Sequence, residues 1–443
     1  VPEIGETFEN LGPQFFSLGQ DDTYYESLYE LGTETATEIL EALRDVAYST
    51  ELFSQFRGED VMGQSLLRFV SSSTVLGKFS RLARGNPALT PFNFEYSFFP
   101  QIEGVDGPTL KFRVKPYRQP PTNVHVLIGR NGAGKTRFLQ ALGSAIVDPE
   151  SPSAKLGELQ LNEGDADEPW AFAGLVYVSF SAFDDFELPP VASSTLKAAQ
   201  VSLRRGDATE ADGEVSRAGV SSFITALSKC RRGLRKERWR DAVRALESDP
   251  LFEEANITDL ADVPDNRWRS TATQLFSKMS SGHAVVLLTI TRLVELVDEH
   301  TLVLMDEPEG HLHPPLLSAL IRSLSDLLTK RNGVAIIATH SPVVLQEVPK
   351  SCVWKLRRAG LTAVAERPEL ETFGENVGVL TREVFGLEVA ASGFHKLIAE
   401  AVEHHAGNYE AVLEQFHDQL GAEGRAIARG LAAVVERKNS QTS

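Results

Sequence analysis

"NVHVLIGRNGAGKT", residues 123–136, decides the fold. The run from Val124 to Ile128 has the apolar make-up of a strand buried on both faces. It passes directly into a glycine-rich loop and then into helix-forming residues. "GRNGAGKT" fills the phosphate-loop pattern G-x-x-x-x-G-K-[ST] at Gly129, Gly134, Lys135 and Thr136, in the strand–loop–helix setting that pattern requires. Such a loop lets backbone N–H groups close around phosphates, and a helix N-terminus adds favourable partial charge. The candidate phosphate cradle therefore runs through Gly129, Arg130, Asn131, Gly132, Ala133, Gly134, Lys135, Thr136 and Arg137. Lys135 is expected to reach the β- and γ-phosphates, and Thr136 to ligate magnesium.

Outward from this loop the pattern is that of an α/β protein. "FNFEYSFF" alternates Phe92, Phe94, Tyr96 and Phe98 with polar residues, and "TLKFRV" alternates Leu110, Phe112 and Val114. The turn-rich "PQIEGVDGP" between them predicts two antiparallel strands of a half-buried sheet. Further strands are expected at "GLVYVSFS" (174–181), "TLVLMDE" (301–307) and "GVAIIATH" (333–340), the last two separated by the helical "PPLLSALIRSLSDLLTK". Strands alternating with helices imply a mostly parallel sheet covered on both faces. Residues 20–85 read as helical, with Ile39, Leu40, Leu43 and Val46 on one stripe. The expected organisation is a helical N-terminal extension (1–90), a first head segment with the phosphate loop (91–189), a helical insertion (190–275), a second head segment (276–368) and a helical C-terminal region (369–443).

Composition bounds the function. The chain has 443 residues, 42% of them hydrophobic and 24% charged, which is the profile of a globular protein of two or three domains. No apolar run is long enough to span a bilayer, and "VPEIGETFEN" carries no basic or apolar signal segment, so a cytoplasmic protein without membrane partners is expected. Cys230 and Cys352 lack metal-ligand spacing and suit a reducing compartment. The net charge of −17 argues against wholesale wrapping of nucleic acid but leaves room for a local basic groove.

"LVLMDEPEGHLHP" supplies the acidic half of the site. Asp306 ends a strand at the edge where parallel sheets bind ligands and is the expected second magnesium ligand. Glu307 is placed to polarise an attacking water. His340 ends the next strand and reaches the same edge, where an imidazole can sense a γ-phosphate. His311 and His313 raise the possibility of zinc, but no third ligand stands at helical spacing, and a loop shaped by its backbone is the expected reading.

In "KMSSGHAVVLL" (278–288), Ser280, Ser281 and Gly282 precede an apolar helix. With this segment in place, the order of motifs over about 92–345 resembles the ABC-type ATPases, in the branch holding SMC-like repair proteins and OLD-like and Septu-like defence ATPases. "MSSGH" occupies the slot of that family's LSGGQ-like signature. The resemblance implies ATP and Mg2+ as ligands, and Ser280 and Gly282 as γ-phosphate contacts on the nucleotide of a partner subunit. It further implies a dimer, or higher oligomer, sandwiching two ATPs, with Glu307 as general base and His340 as switch. "DEPEGHLHP" looks very like the OLD-like and Septu-like subgroup rather than a transporter motor. Two departures stand out. The glutamine expected after the strand at 174–181 is missing, with Ser181 and Asp184 as candidates to replace it, and His283 stands where the signature usually has Gln or Glu.

The interval from Gly134 to Ser280 is too short for a long coiled coil. Beyond His340 there is no D-x-D pair or H-N-H-like cluster of a nuclease, and Asp165 and Asp167 fall in a polar loop. The leading expectation is an ATPase that controls a separate effector of the nuclease class, as in Septu-type anti-phage systems. The alternatives are an ATP-gated nucleic-acid sensor, an SMC-like repair ATPase, or a self-contained nuclease. "KCRRGLRKERWR" (229–240) bears on the sensor: Lys229, Arg231, Arg232, Arg235, Lys236, Arg238 and Arg240 could contact phosphates and Trp239 could stack on a base. The competing reading is a helix face paired with acidic neighbours.

Overall fold

The computed structural model describes residues 8–68, 70, 72–85, 89, 91–99, 107–161, 172–180, 186–191, 196–202, 217–232, 235–359, 362–391 and 393–441. Among the described residues, ten strands build two sheets. They are β1 (Phe92–Phe98), β2 (Thr109–Val114), β3 (Val124–Gly129), β4 (Gly157–Leu161), β5 (Gly174–Ser179), β6 (Lys197–Ser202), β7 (Thr301–Asp306), β8 (Val334–Thr339), β9 (Val353–Ala359) and β10 (Thr362–Glu366). The larger sheet runs β10-β9-β3-β8-β7-β5-β6, parallel throughout except for the β9–β10 pair. Every residue of β3, β5, β7 and β8 is buried, as continuous apolar runs in a sheet covered on both faces require.

The smaller sheet, β2-β1-β4, is antiparallel, with Phe94 opposite Phe112 and Tyr96 opposite Leu110. Its alternation buries Phe92, Phe94, Tyr96, Leu110 and Phe112 in one core with Leu127, Leu304 and Ile336 of the large sheet. Phe138, Leu139 and Leu142 of the helix after the phosphate loop join that core, with the Phe138 ring edge-on to Tyr96 at 5.3 Å.

Among the helices, α1 (Asp22–Glu30), α2 (Thr33–Ala42) and α3 (Thr50–Phe56) lie N-terminal to the sheets, and α4 (Lys135–Val147) follows the phosphate loop. Between β6 and β7 come α5 (Arg217–Cys230), α6 (Arg235–Arg244), α7 (Pro250–Glu254), α8 (Trp268–Ser277) and α9 (Ser281–Leu296). The helix α10 (Pro314–Lys330) joins β7 to β8. Residues 375–443 form a unit of their own, with α11 (Val377–Ala391), α12 (Gly393–His404), α13 (Tyr409–Gln415) and α14 (Ala422–Gln441). Ile398, Val402, Val412 and Ala428 make its core.

Two local expectations change. The stripe Ile39, Leu40, Leu43, Val46 does not lie on one helix, because α2 stops at Ala42 and Arg44 takes a left-handed backbone with φ 51°. Leu40 and Val46 are still buried together with Tyr25, Phe53 and Phe79 in a separate N-terminal core. The segment after residue 190 is not wholly helical either. It opens with β6, an edge strand on β5 whose "KAAQVS" lacks the apolar alternation that marks a strand.

Candidate nucleotide site

The ends of β3, β7 and β8 are neighbours in the sheet, and each delivers one part of the site. After β3 the chain turns through Gly132 and Gly134, with φ of 79° and 97°, conformations that L side chains rarely adopt. A side chain at either would meet nothing within 4 Å, so the loop faces open space. Gly129 is different: a Cβ there would stand 2.2 Å from the Leu356 carbonyl oxygen. Lys135 begins α4 and is buried, and its Nζ donates to the carbonyls of Gly129 at 2.9 Å and Arg130 at 3.1 Å. Burial pulls its pKa below the usual lysine value, while Glu307, Glu309 and Asp306 oppose that shift.

Thr136 Oγ1 donates to Asp306 Oδ1 at 3.2 Å, bridging the phosphate loop to the end of β7. Asp306 is buried, whereas Glu307 keeps a third of its side-chain surface exposed (35%). The backbone turns sharply here. Glu307 takes φ 50° and its N–H donates to the Ala338 carbonyl at 2.8 Å, which pins the turn against β8. His340 follows β8, with Nδ1 4.0 Å from Glu307 Oε1 and 3.0 Å from Glu309 Oε1.

Glu309 was not singled out by sequence reasoning. Its Oε1 accepts from Thr339 Oγ1 and from the His340 N–H, both at 2.6 Å, so one buried carboxylate fixes the backbone and ring that carry His340. The available signal was its place one short turn after Asp306 in "DEPEGH". Only the tight turn Pro308–His311 makes that spacing meaningful.

Ser280, Ser281 and Gly282 stand elsewhere. Ser280 precedes α9, its carbonyl accepts from Ala284 N, and its Oγ lies 2.6 Å from His283 Nδ1. His283 is buried and its Nε2 is 3.0 Å from Asp249 Oδ1. His283 is thus held between a serine and an acid. His313 lies nearby at the start of α10, while the side chain of His311 lies outside the described residues. So do Asp165, Asp167, Ser181 and Asp184.

The basic segment is corrected in one respect. Trp239 is 1% exposed and donates to Thr291 Oγ1 at 2.9 Å, so its ring is core and offers no stacking face. Lys229 pairs with Glu295 at 2.6 Å, Lys236 with Asp262 at 2.7 Å, and Arg240 with Glu237 and Asp262 at 2.6 Å each. Arg231 donates to the carbonyls of Leu260 and Val263. These cations are committed to their own chain.

A mostly parallel sheet with a glycine phosphate loop and an acidic strand end beside it defines a P-loop nucleotide-binding head. Over 456 aligned positions the chain is 40% identical to protein ea59 of Escherichia phage lambda, covering 97% of this chain and 85% of the phage protein. The chain belongs to that family. It is also 31% identical over 190 residues to the lipoprotein-releasing system ATP-binding protein LolD 1 of Rhodopirellula baltica, covering 40% of this chain and 78% of that protein. Residues 233–346 match the family described as "AAA domain, putative AbiEii toxin, Type IV TA system". Among solved structures, CbiO1 of Clostridium perfringens matches at 14% identity and a TM-score of 0.33, covering 58% of this chain and 83% of its own. UvrA2 of Deinococcus radiodurans matches at 14% and 0.30, covering 65% and 39%. No described helix is long and apolar enough to cross a membrane.

Proposed function

We propose that the chain binds ATP with Mg2+ at the phosphate loop and hydrolyses it. The observation that carries this reading is the 3.2 Å contact between Thr136 Oγ1 and Asp306 Oδ1, which puts two hard oxygen donors side by side at the sheet edge. The surroundings suit the ligand. Lys135 satisfies itself on loop carbonyls that a phosphate can replace, and the glycines leave the cradle open. Thr136 and Asp306 would hold Mg2+, which supplies charge neutralisation on the β- and γ-phosphate oxygens. Lys135 Nζ swings from its carbonyls to the phosphates. Glu307, partly exposed beside the buried acid, takes the proton of the attacking water, and His340, steadied by Glu309, reads the γ-phosphate.

The signature at Ser280, Ser281 and Gly282 belongs to a second half-site. Its serine hydrogen-bonds within its own helix start rather than to the phosphate loop, which suits action on the nucleotide of a second copy. Two heads closing on two ATPs follow from this reading. The "DEPEGHLHP" loop supports control of a separate nuclease-class effector in anti-phage defence, through a partner surface on the helical ends.

The test compares Glu307→Gln with Lys135→Ala. Glu307→Gln is expected to keep Mg-ATP binding, lose turnover by about 100-fold or more, and accumulate an ATP-bound dimer on size exclusion. Lys135→Ala is expected to lose nucleotide. A wild-type chain that binds no ATP in the presence of Mg2+ overturns the reading.

A further inference from the structure

Asp249, His283 and His313 come from three separate segments and meet beside the start of α9. His283 Nε2 lies 3.0 Å from Asp249 Oδ1 and His313 Nε2 lies 3.9 Å from Asp249 Oδ2. One ligand atom from each falls within 4.8 Å of the other two. Donors around a single tetrahedral zinc, each about 2.1 Å from the metal, stand roughly 3.4 Å apart. The cluster is thus within a small side-chain adjustment of a coordination shell, and we propose that Asp249, His283 and His313 form a site for one zinc-class divalent ion. The three sequence segments involved are far apart, which is why His313 lacked a visible third ligand.

The donor set decides the class of ion. Two imidazoles and a carboxylate suit zinc and its neighbours, whereas magnesium and calcium take oxygen shells. This site is therefore chemically distinct from the Thr136–Asp306 pair. His283 and Asp249 have side chains 7% and 10% exposed, and His313 is half exposed at 51%, so two ligands are fixed by packing and the third comes from the solvent side. Three protein ligands leave a fourth position for water or another donor.

The remaining ring nitrogen of His283 is also provided for. A metal-bound imidazole usually donates its other N–H to a partner, and Nδ1 faces Ser280 Oγ at 2.6 Å. Without metal, the ionised Asp249 can only accept, so Nε2 carries the hydrogen and Nδ1 accepts from the Ser280 hydroxyl. With metal on Nε2, the hydrogen sits on Nδ1 and is donated to Ser280 Oγ. Loading thus reverses the direction of that hydrogen bond and frees the Ser280 hydroxyl hydrogen for an anion. This last consequence rests on the reading of Ser280 as a γ-phosphate contact, while the metal site itself does not.

The experiment uses the full chain, stripped with chelator and free of nucleotide, titrated with Co2+ by visible absorption and with Zn2+ by mass-spectrometric metal counting. One ion per chain is expected, with a ligand-field spectrum that Zn2+ abolishes. His313→Ala should weaken binding by about 100-fold or more, since even outer partners of a metal site cost about 10–100-fold. His313 is half exposed, so an unchanged melting curve of the metal-free variant will show that it folds. Asp306→Asn should keep the Co2+ spectrum. No stoichiometric Co2+ or Zn2+ binding by the wild type, or wild-type affinity in both His313→Ala and Asp249→Asn, overturns the proposal. Metal binding by a chain that does not bind ATP overturns only the ATPase reading.

Discussion

Glu309 makes the sharpest prediction at the scale of single residues. Glu309→Gln keeps an oxygen able to accept from Thr339 Oγ1 and His340 N, but removes the negative charge beside the His340 ring. Turnover is expected to fall by about 10-fold with ATP affinity unchanged, because the change touches how His340 is held and not the phosphate cradle. Glu309→Ala should add a loss of roughly 1–3 kcal/mol in stability, since Thr339 and the His340 N–H lose their common acceptor. Steady-state hydrolysis and thermal melting separate the two effects. Equal behaviour of Gln and Glu at position 309 would remove it from the positioning machinery. Lys135, Thr136, Asp306, Glu307 and His340 were all legible as a group, because each sits in a fixed relation to a strand end. Glu309 and Asp249 were not, since their relevance depends on a tight turn and on a contact between distant segments.

At the scale of elements, the phosphate loop separates two roles of glycine. Gly129→Ala drives a Cβ to 2.2 Å from a backbone oxygen of β9, which cannot swing away as a side chain can. Overpacking of this kind costs typically 1–3 kcal/mol, so a lowered melting temperature is expected even without nucleotide. Gly132→Ala has open space around it, and its cost comes from the backbone at φ 79°, roughly 1–2 kcal/mol, with weakened ATP binding as the main readout. A Gly129→Ala protein as stable as wild type would contradict the close β3–β9 approach. The basic helix α6 teaches the complementary lesson. Its charges were plain in the sequence, but charge counts do not say whether partners are internal. Trp239→Ala is expected to cost about 3–5 kcal/mol as a core deletion, whereas removing the solvent-facing Lys236–Asp262 pair should leave the melting temperature close to that of the wild type. A Trp239→Ala chain of normal stability would restore the ring to the surface.

For the whole molecule, the parallel sheet was readable because β3, β5, β7 and β8 are buried on both faces and show as unbroken apolar runs. The edge strands β6 and β10, and β9 beside β10, were not, since their mixed burial leaves a weaker pattern. The one exception within β3's apolar run carries a prediction about the head as a unit. His125 is fully buried, edge-on to Phe112 at 5.3 Å, and burial together with the Arg367 charge pushes its pKa down to about 3. The unfolded chain protonates this histidine near its ordinary value of 6.5, before the folded chain does. The associated stability is therefore fully present above about pH 6.5 and drains away as the pH falls toward 3. At pH 5 the loss amounts to about 2 kcal/mol from this residue alone. The tryptophans Trp170, Trp239, Trp268 and Trp354 all precede residue 375, so their fluorescence reports the head without the C-terminal unit. Urea unfolding at pH 7 and pH 5, compared between wild type and His125→Phe, isolates the effect, because every other titrating group is common to both chains. The variant is expected to lose about 2 kcal/mol less between the two pH values, and an identical acid sensitivity would mean that His125 takes up a proton in the folded sheet.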